Sequence, residues 1–205
     1  MEPSCLPFSQ ACENNKSPIL DILRLLLAGS ASVLEIGSGT GQHGAFFASQ
    51  LPKVRWQCSD VEENLESLNM RLKETALGNL PTAITLDVNR HPWNCSQFDT
   101  IFTANSFHIM SIKSVEAFFC ELPHHIKERG QLVVYGPFRY GGDYTSESNA
   151  RFDQWLKDRD PDSGIRDFER ISALAQGCGM ELQADHAMPA NNQLLVWQQA
   201  TQSGY

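Results

Sequence analysis

The segment Glu35-Ile36-Gly37-Ser38-Gly39-Thr40-Gly41 is the part of this sequence whose residue types and spacing most directly suggest chemistry. Glycine at every second position lets a strand turn sharply into a helix, and lets the backbone approach a ligand that side chains would block. The spacing is not that of the dinucleotide fingerprint G-x-G-x-x-G, whose third glycine would fall at Gln42, one place after Gly41. No lysine follows the turn, so a phosphate-binding P-loop is excluded as well. An acid at Glu35 repels phosphates and suits a ligand carrying an ammonium and a sulfonium. Asp60, nineteen residues beyond Gly41, stands where a carboxylate can accept both hydroxyls of a ribose. Asp87 and Asn105 close the next two apolar runs.

These residues need a sheet to bring them together. Val33-Leu34-Glu35-Ile36 reads as a strand entering the glycines, and Ala45-Phe46-Phe47-Ala48 as the helix after them, ending before Pro52. Further strands are expected near 54–58, 83–86, 100–104 and 131–135, with helices near 62–76, 114–128 and 148–157. An earlier helix is expected to start at Ser17-Pro18, with Ile19, Leu20, Leu23, Leu26 and Leu27 at helical spacing before Gly29. A last helix near 167–178 leads into two closing strands, about 181–187 and 194–198, joined by Pro189-Ala190-Asn191-Asn192. The alternation predicts an α/β fold: Rossmann-like and doubly wound, with a mostly parallel seven-stranded sheet and an antiparallel C-terminal hairpin strand. Ligands bind outside the carboxyl ends of parallel strands, so Glu35, Asp60, Asp87 and Asn105 are expected to line one crevice.

Composition narrows the function. A chain of 205 residues, 41% hydrophobic, suits a single domain spanning 1–205, with 1–12 and 200–205 expected as flexible tails. A net charge of -8 argues against bulk nucleic-acid binding and against an anionic membrane surface. With no leader pattern and no apolar run long enough to span a bilayer, a cytoplasmic protein is expected. The six cysteines form no C-x-x-C pair, so no metal site is expected.

The acidic residue, the alternating glycines, Asp60 and Asp87 together resemble the class I S-adenosylmethionine-dependent methyltransferases, whose fold usually ends in such a hairpin. More narrowly, five stretches resemble the methyltransferase-like 26 family, which is largely without an assigned substrate. They are Asn15–Leu20, Tyr135–Phe138, Ser148–Asp153, Gly164–Asp167 and, most distinctively, Met188-Pro189-Ala190-Asn191-Asn192. The resemblance covers about residues 12 to 199, and departs from the family where Asn14 replaces a basic residue between Glu13 and Asn15.

By that resemblance the cofactor is S-adenosyl-L-methionine. Glu35, Gly37, Ser38, Gly39 and Gly41 would hold its methionine end, Asp60 its ribose, and Asp87 with Val88 its adenine edge, with Asn105 beside the sulfonium. Methyl transfer is an in-line displacement that requires no metal and depends chiefly on positioning. Asn105 also fits a plain helix cap. His108 fits either a general base or a structural histidine, and Tyr140 is the other catalytic candidate. Phe138–Tyr144 reads as a lid or as a simple connection; Arg139 and Tyr144 are substrate candidates on it. Asn191 and Asn192 either orient the acceptor or only supply turn geometry, and Asn15 is expected to close the same pocket. A transferase acting on a small-molecule acceptor leads. A cofactor-binding protein without transferase activity and an RNA or protein methyltransferase are the alternatives.

Overall fold

Val33, Leu34, Glu35 and Ile36 are all buried, on both faces of the strand at once, as a strand covered on both sides requires. In the computed structural model, which describes residues 6–29 and 32–200, they form β1 (Ser32–Ile36). The chain divides into two units, residues up to Asp87 and residues from Val88 on.

The first unit contains α1 (Gln10–Leu26), β1, α2 (Gln42–Gln50), β2 (Arg55–Asp60), α3 (Glu62–Thr75) and β3 (Ile84–Thr85). β1 pairs with β2 in parallel, Glu35 opposite Cys58 and Ile36 opposite Ser59, and β2 pairs in parallel with β3. Its core holds Leu34, Ile36, Phe47, Trp56 and Leu68, each at most 1% exposed. Each side chain of this size contributes roughly 1.5–3 kcal/mol by leaving water.

The second unit contains β4 (Phe98–Ala104), α4 (Ile112–His125), β5 (Ile126–Gly136), β6 (Phe138–Tyr140), β7 (Asp143–Tyr144) and α5 (Glu147–Arg159). After these come β8 (Arg166–Asp167), α6 (Phe168–Gly177), β9 (Met180–Met188), a 3-10 turn at Pro189–Asn191 and β10 (Asn192–Gln199). β4 and β5 are parallel, while β10 lies antiparallel between β5 and β9, with Gln193 opposite Gly136 and Asn192 opposite Met188. Phe118 meets Phe107 and Phe119 edge-on in the core of this unit, at ring separations of 5.2 Å. The seven-stranded sheet has the order β3-β2-β1-β4-β5-β10-β9, the mostly parallel α/β arrangement with a closing antiparallel strand pair that the sequence pattern implies.

Four elements differ from the sequence reading. The first helix begins not at Ser17-Pro18 but at Gln10, capped by the Ser9 hydroxyl, and carries Pro18 in its interior. Contacts to Gln42 and His43 hold its opening turns, and tertiary packing there outweighs the local Ser-Pro signal. Residues 10–12, expected within a tail, are therefore helical; Met1–Cys5 and Thr201–Tyr205 lie outside the described residues. The strand expected over 83–86 narrows to Ile84–Thr85, and the helix expected to run to Glu128 stops at His125, because Ile126 already pairs with Phe98 in the sheet. Lastly, the stretch read as a lid or connection is a hairpin. β6 and β7 pair antiparallel across Gly141 and Gly142, whose φ of 58° and 85° give a two-residue turn with both centres left-handed. With β8 they form a separate three-stranded sheet. No helix among the described residues is long and apolar enough to cross a membrane.

Candidate cofactor and acceptor sites

β1 ends into a turn whose glycines are all left-handed, with φ of 73° at Gly37, 53° at Gly39 and 73° at Gly41. A side chain at Gly39 would meet nothing within 4 Å, so it is the backbone angle, and not crowding, that calls for glycine there. At Gly41 both apply, since a Cβ would lie 2.6 Å from Leu68 Cδ1. The turn is fastened to the end of β2. Gly37 and Ser38 donate their N–H groups to the Ser59 carbonyl at 3.1 and 3.0 Å, and Gly39 donates to Asp60 Oδ2 at 2.6 Å. The other Asp60 oxygen accepts from Val61 N and from Asn64 Nδ2, both at 2.8 Å. Each carboxylate oxygen has about two acceptor positions, so Oδ1 is filled and Oδ2 keeps room for one further donor.

Glu35 faces the other way from the role its position suggests. It is 2% exposed, and its Oε2 accepts from Trp56 Nε1 at 2.8 Å and from Cys58 Sγ at 3.4 Å, inside the β1–β2–α2 packing. Gly44 leaves the room, because a Cβ there would sit 2.3 Å from Cys58 Sγ and 3.0 Å from Glu35 Oε2. Burial pushes the Glu35 carboxyl up to about 7 against the opposing hydrogen bonds of Trp56, Cys58 and Ser38, and Asp60 adds to the rise. Its backbone carbonyl, which accepts from Ser59 Oγ at 2.7 Å, helps frame the turn. Asn15 is buried in the α1–α2 contact, where its Oδ1 lies 2.6 Å from His43 Nε2; burial and then Lys16 lower the His43 pKa to about 4. Asp87, half-buried, follows β3 at the same strand end as Asp60.

In the second unit, Asn105 directly follows β4 with a left-handed φ of 58°, its N–H donated to the Tyr135 carbonyl at 2.8 Å. Such a backbone in a residue with a Cβ is uncommon and concentrates at functional positions. Its half-buried side chain makes no hydrogen bond among the described residues. His108 comes three residues later, buried, its Nδ1 3.7 Å from where a Cβ on Gly136 would stand and its ring edge-on to Phe152. Burial first, and Arg166 second, lower its pKa to about 4, so it is neutral at physiological pH.

The loop carrying His108 is held by a segment the sequence offered only as part of a family resemblance. The four consecutive carbonyls 107–110 are taken by residues 163–166: Phe107 and Met110 by the Arg166 guanidinium, His108 by Gly164 N, and Ile109 by the Ser163 hydroxyl. Asp153, 1% exposed, secures that segment by accepting from Ile165 N at 2.6 Å, and accepts Tyr144 OH at 2.6 Å and Lys157 Nζ at 2.5 Å as well. Burial works to raise the Asp153 pKa, but these donors prevail and hold it below the ordinary value.

The remaining candidates are spread over this unit. Arg139 pairs with Asp167 at 2.9 Å and lies 5.5 Å from the Tyr144 ring. Tyr140 stacks on Phe168 and donates to Asp185 at 2.7 Å, and burial together with that carboxylate pushes its phenol well above the ordinary value. Asn191 is left-handed, with its carbonyl accepting from Asn149 and its amide donating to Ser148, while Asn192 donates back to Pro189 and Ala190. Val88 is buried at the head of the unit. Among the described residues no group of three or more His, Cys, Asp or Glu side chains is arranged to hold a metal ion.

The fold is that of solved methyltransferases. An O-methyltransferase family protein from Burkholderia thailandensis matches with a TM-score of 0.81 at 13% identity, over 94% of this chain and 58% of that one. Human N-acetylserotonin methyltransferase, solved in complex with S-adenosylmethionine, matches with a TM-score of 0.78 at 14% identity, over 94% of this chain and 53% of that one. An O-methyltransferase family 2 protein from Planctomyces limnophilus, solved with apigenin, gives 0.73 at 15% identity, over 91% of this chain and 64% of that one. The chain thus spans between about half and two thirds of the length of these proteins. By sequence, residues 6–199 match the family described as "Protein of unknown function (DUF938)", and the chain belongs to that family.

Proposed function

We propose that this chain is an S-adenosyl-L-methionine-dependent methyltransferase, a single catalytic domain acting on a small-molecule acceptor. The observation that carries the reading is the left-handed glycine turn gripped by the carboxylate at the end of β2, on a fold shared with methyltransferases, one of them solved with this cofactor. In this reading the Gly37–Gly41 turn, with Ser38, receives the methionine end, Asp60 the ribose hydroxyls, Asp87 and Val88 the adenine, and Asn105 the region of the sulfonium. Glu35 serves the turn from beneath, as a buried brace. The finer resemblance to the methyltransferase-like 26 family, carried by the Met188–Asn192 stretch, fits the same activity.

Transfer is a displacement at carbon. The acceptor atom bonds to the methyl carbon as the carbon–sulfur bond breaks, the pair of electrons returns to sulfur, and a protonated acceptor gives up its proton. His108, neutral and in a loop whose carbonyls 107–110 are fastened, is the group available to take that proton from a hydroxyl acceptor. Arg139, Tyr144, Asn191 and Asn192 are the acceptor-side residues, with Asn15 supporting from α1. Tyr140, engaged with Asp185, fits a positioning role.

Isothermal titration with S-adenosylmethionine and S-adenosylhomocysteine tests the reading, using the native chain, Asp60→Ala and Gly39→Val. Binding by the native protein, weakened at least about a hundredfold by either substitution, is expected from the loss of charge-assisted hydrogen bonds and of a backbone that a β-branched residue does not adopt. Failure of the folded native protein to bind either compound would sink it.

A further inference from the structure

We propose that the segment Pro7–Glu13 is a strap clipped onto the glycine turn, and that Arg71 is the residue that couples its seating to cofactor binding. The inference rests on the cofactor reading above. Arg71, on α3, donates Nε to the Thr40 carbonyl and an Nη2 proton to the Pro7 carbonyl, both at 2.5 Å. One planar guanidinium therefore joins the fourth residue of the turn to the chain ahead of α1, a fork geometry that lysine cannot reproduce. The stem of the same side chain passes 3.3 Å from where a Cβ on Gly41 would stand, so it also closes against the end of the turn.

Gln42 makes a second clip. Its Oε1 accepts from Ser9 N at 2.6 Å and its Nε2 donates to the Ser9 carbonyl at 3.3 Å, a two-point grip on one residue of the strap. Thr40 Oγ1 donates to the same Oε1 at 3.1 Å, which returns the contact to the turn. Ser9 caps α1 through Cys12 N, so the strap, the start of the helix and the turn share one hydrogen-bond network. Binding energy spent on fixing the turn is then spent on fixing the strap, and loosening either lowers affinity for whatever the turn holds. Cys12, half-buried on the strap, reports its seating, because a thiol reacts only when reagent can reach it.

The test compares native protein, Arg71→Met and Gln42→Ala by titration with S-adenosylhomocysteine, and follows alkylation of Cys12 by peptide mass spectrometry with and without that ligand. A coupled strap gives at least about a tenfold weaker affinity in both variants. It also slows Cys12 alkylation on ligand addition in the native chain, an effect reduced or lost in Arg71→Met. A merely structural role would lower the melting temperature without moving the affinity of the folded variants or the ligand dependence of labelling. Native binding with unchanged affinity in both variants overturns the strap alone. No binding by the native chain overturns the cofactor reading and takes the strap with it. Should Arg71→Met fail to fold, Gln42→Ala carries both readouts.

Discussion

Replacing Glu35 by glutamine should make the protein more stable in mild alkali, and the structure sets both the size and the pH window. The carboxyl is 2% exposed and titrates at about 7, against 4.5 for an ordinary glutamate. The folded state thus holds a proton that the unfolded state has released throughout that interval. Stability supplied by the protonated form is complete below about pH 4.5, falls as the pH rises through about 7, and is gone above it. The gap corresponds to about 3 kcal/mol. Glutamine stays neutral, and its amide oxygen can still take the Trp56 indole N–H, so Glu35→Gln escapes that loss. His43 and His108, both lowered to about 4, act in the opposite sense, costing stability as the pH falls from 6.5 to 4. They are present in both proteins and cancel in the difference. Urea denaturation of both proteins at several values between about pH 5 and pH 8 should show near-equal stability at the acid end and an advantage of about 3 kcal/mol for the variant at the alkaline end. A difference that does not change with pH would refute the assignment of Glu35 as a buried carboxyl that protonates near neutrality.

Two further substitutions probe the same packing and its counterpart in the second unit. Gly44→Ala places a Cβ 2.3 Å from Cys58 Sγ and 3.0 Å from Glu35 Oε2, and overpacking there should cost about 2 kcal/mol in urea denaturation despite the better helix propensity of alanine. Cys58→Ala in the same chain should recover part of the loss, and a Gly44→Ala protein as stable as the native one would show that the site has slack. Asp153→Ala removes the acceptor for Ile165 N, Tyr144 OH and Lys157 Nζ and should cost about 2 kcal/mol, chiefly because the buried Ile165 N–H loses its partner. A loss well below 1 kcal/mol would mean that the 163–166 segment is held by other means.

How far the sequence could be read depended on whether the deciding interaction was local. The glycine turn, Asp60 and the closing hairpin are written in short-range chemistry, left-handed glycines and strand-end polar residues, and they stand where the pattern puts them. The β6–β7 hairpin was missed: Gly141-Gly142 between two aromatic-bearing stretches is a two-residue hairpin signal, but strands this short carry no alternation and read as a loop. The direction of Glu35 was not legible. A fully buried strand shows no alternation of apolar and polar residues, so nothing local distinguishes its two faces, and the deciding partners are Trp56 and Gly44. The same holds for α1, where Ser17-Pro18 imitates a helix start and only contacts of Ser9 and Asn15 with Gln42 and His43 extend the helix forward. Arg166 and its grip on Phe107 and Met110 of the His108 loop depend on a pairing more than fifty residues apart, which one sequence cannot reveal.

The turn also gives a better reason than Glu35 does for the kind of ligand it suits. Phosphate-binding loops present a concave run of uncommitted backbone N–H groups to the anion. Here Gly37 and Ser38 give theirs to the Ser59 carbonyl, Gly39 gives its own to Asp60, and Gly41 donates to the Ser38 carbonyl at 2.9 Å. Four of the five N–H groups of the turn are thus spent within the protein, and two formal charges are bonded to it, the Asp60 carboxylate at Gly39 N and the Arg71 guanidinium at the Thr40 carbonyl. A turn with so few uncommitted N–H groups disfavours a pyrophosphate. Glu35, turned inward, contributes to the discrimination only by holding the strand from which the turn springs.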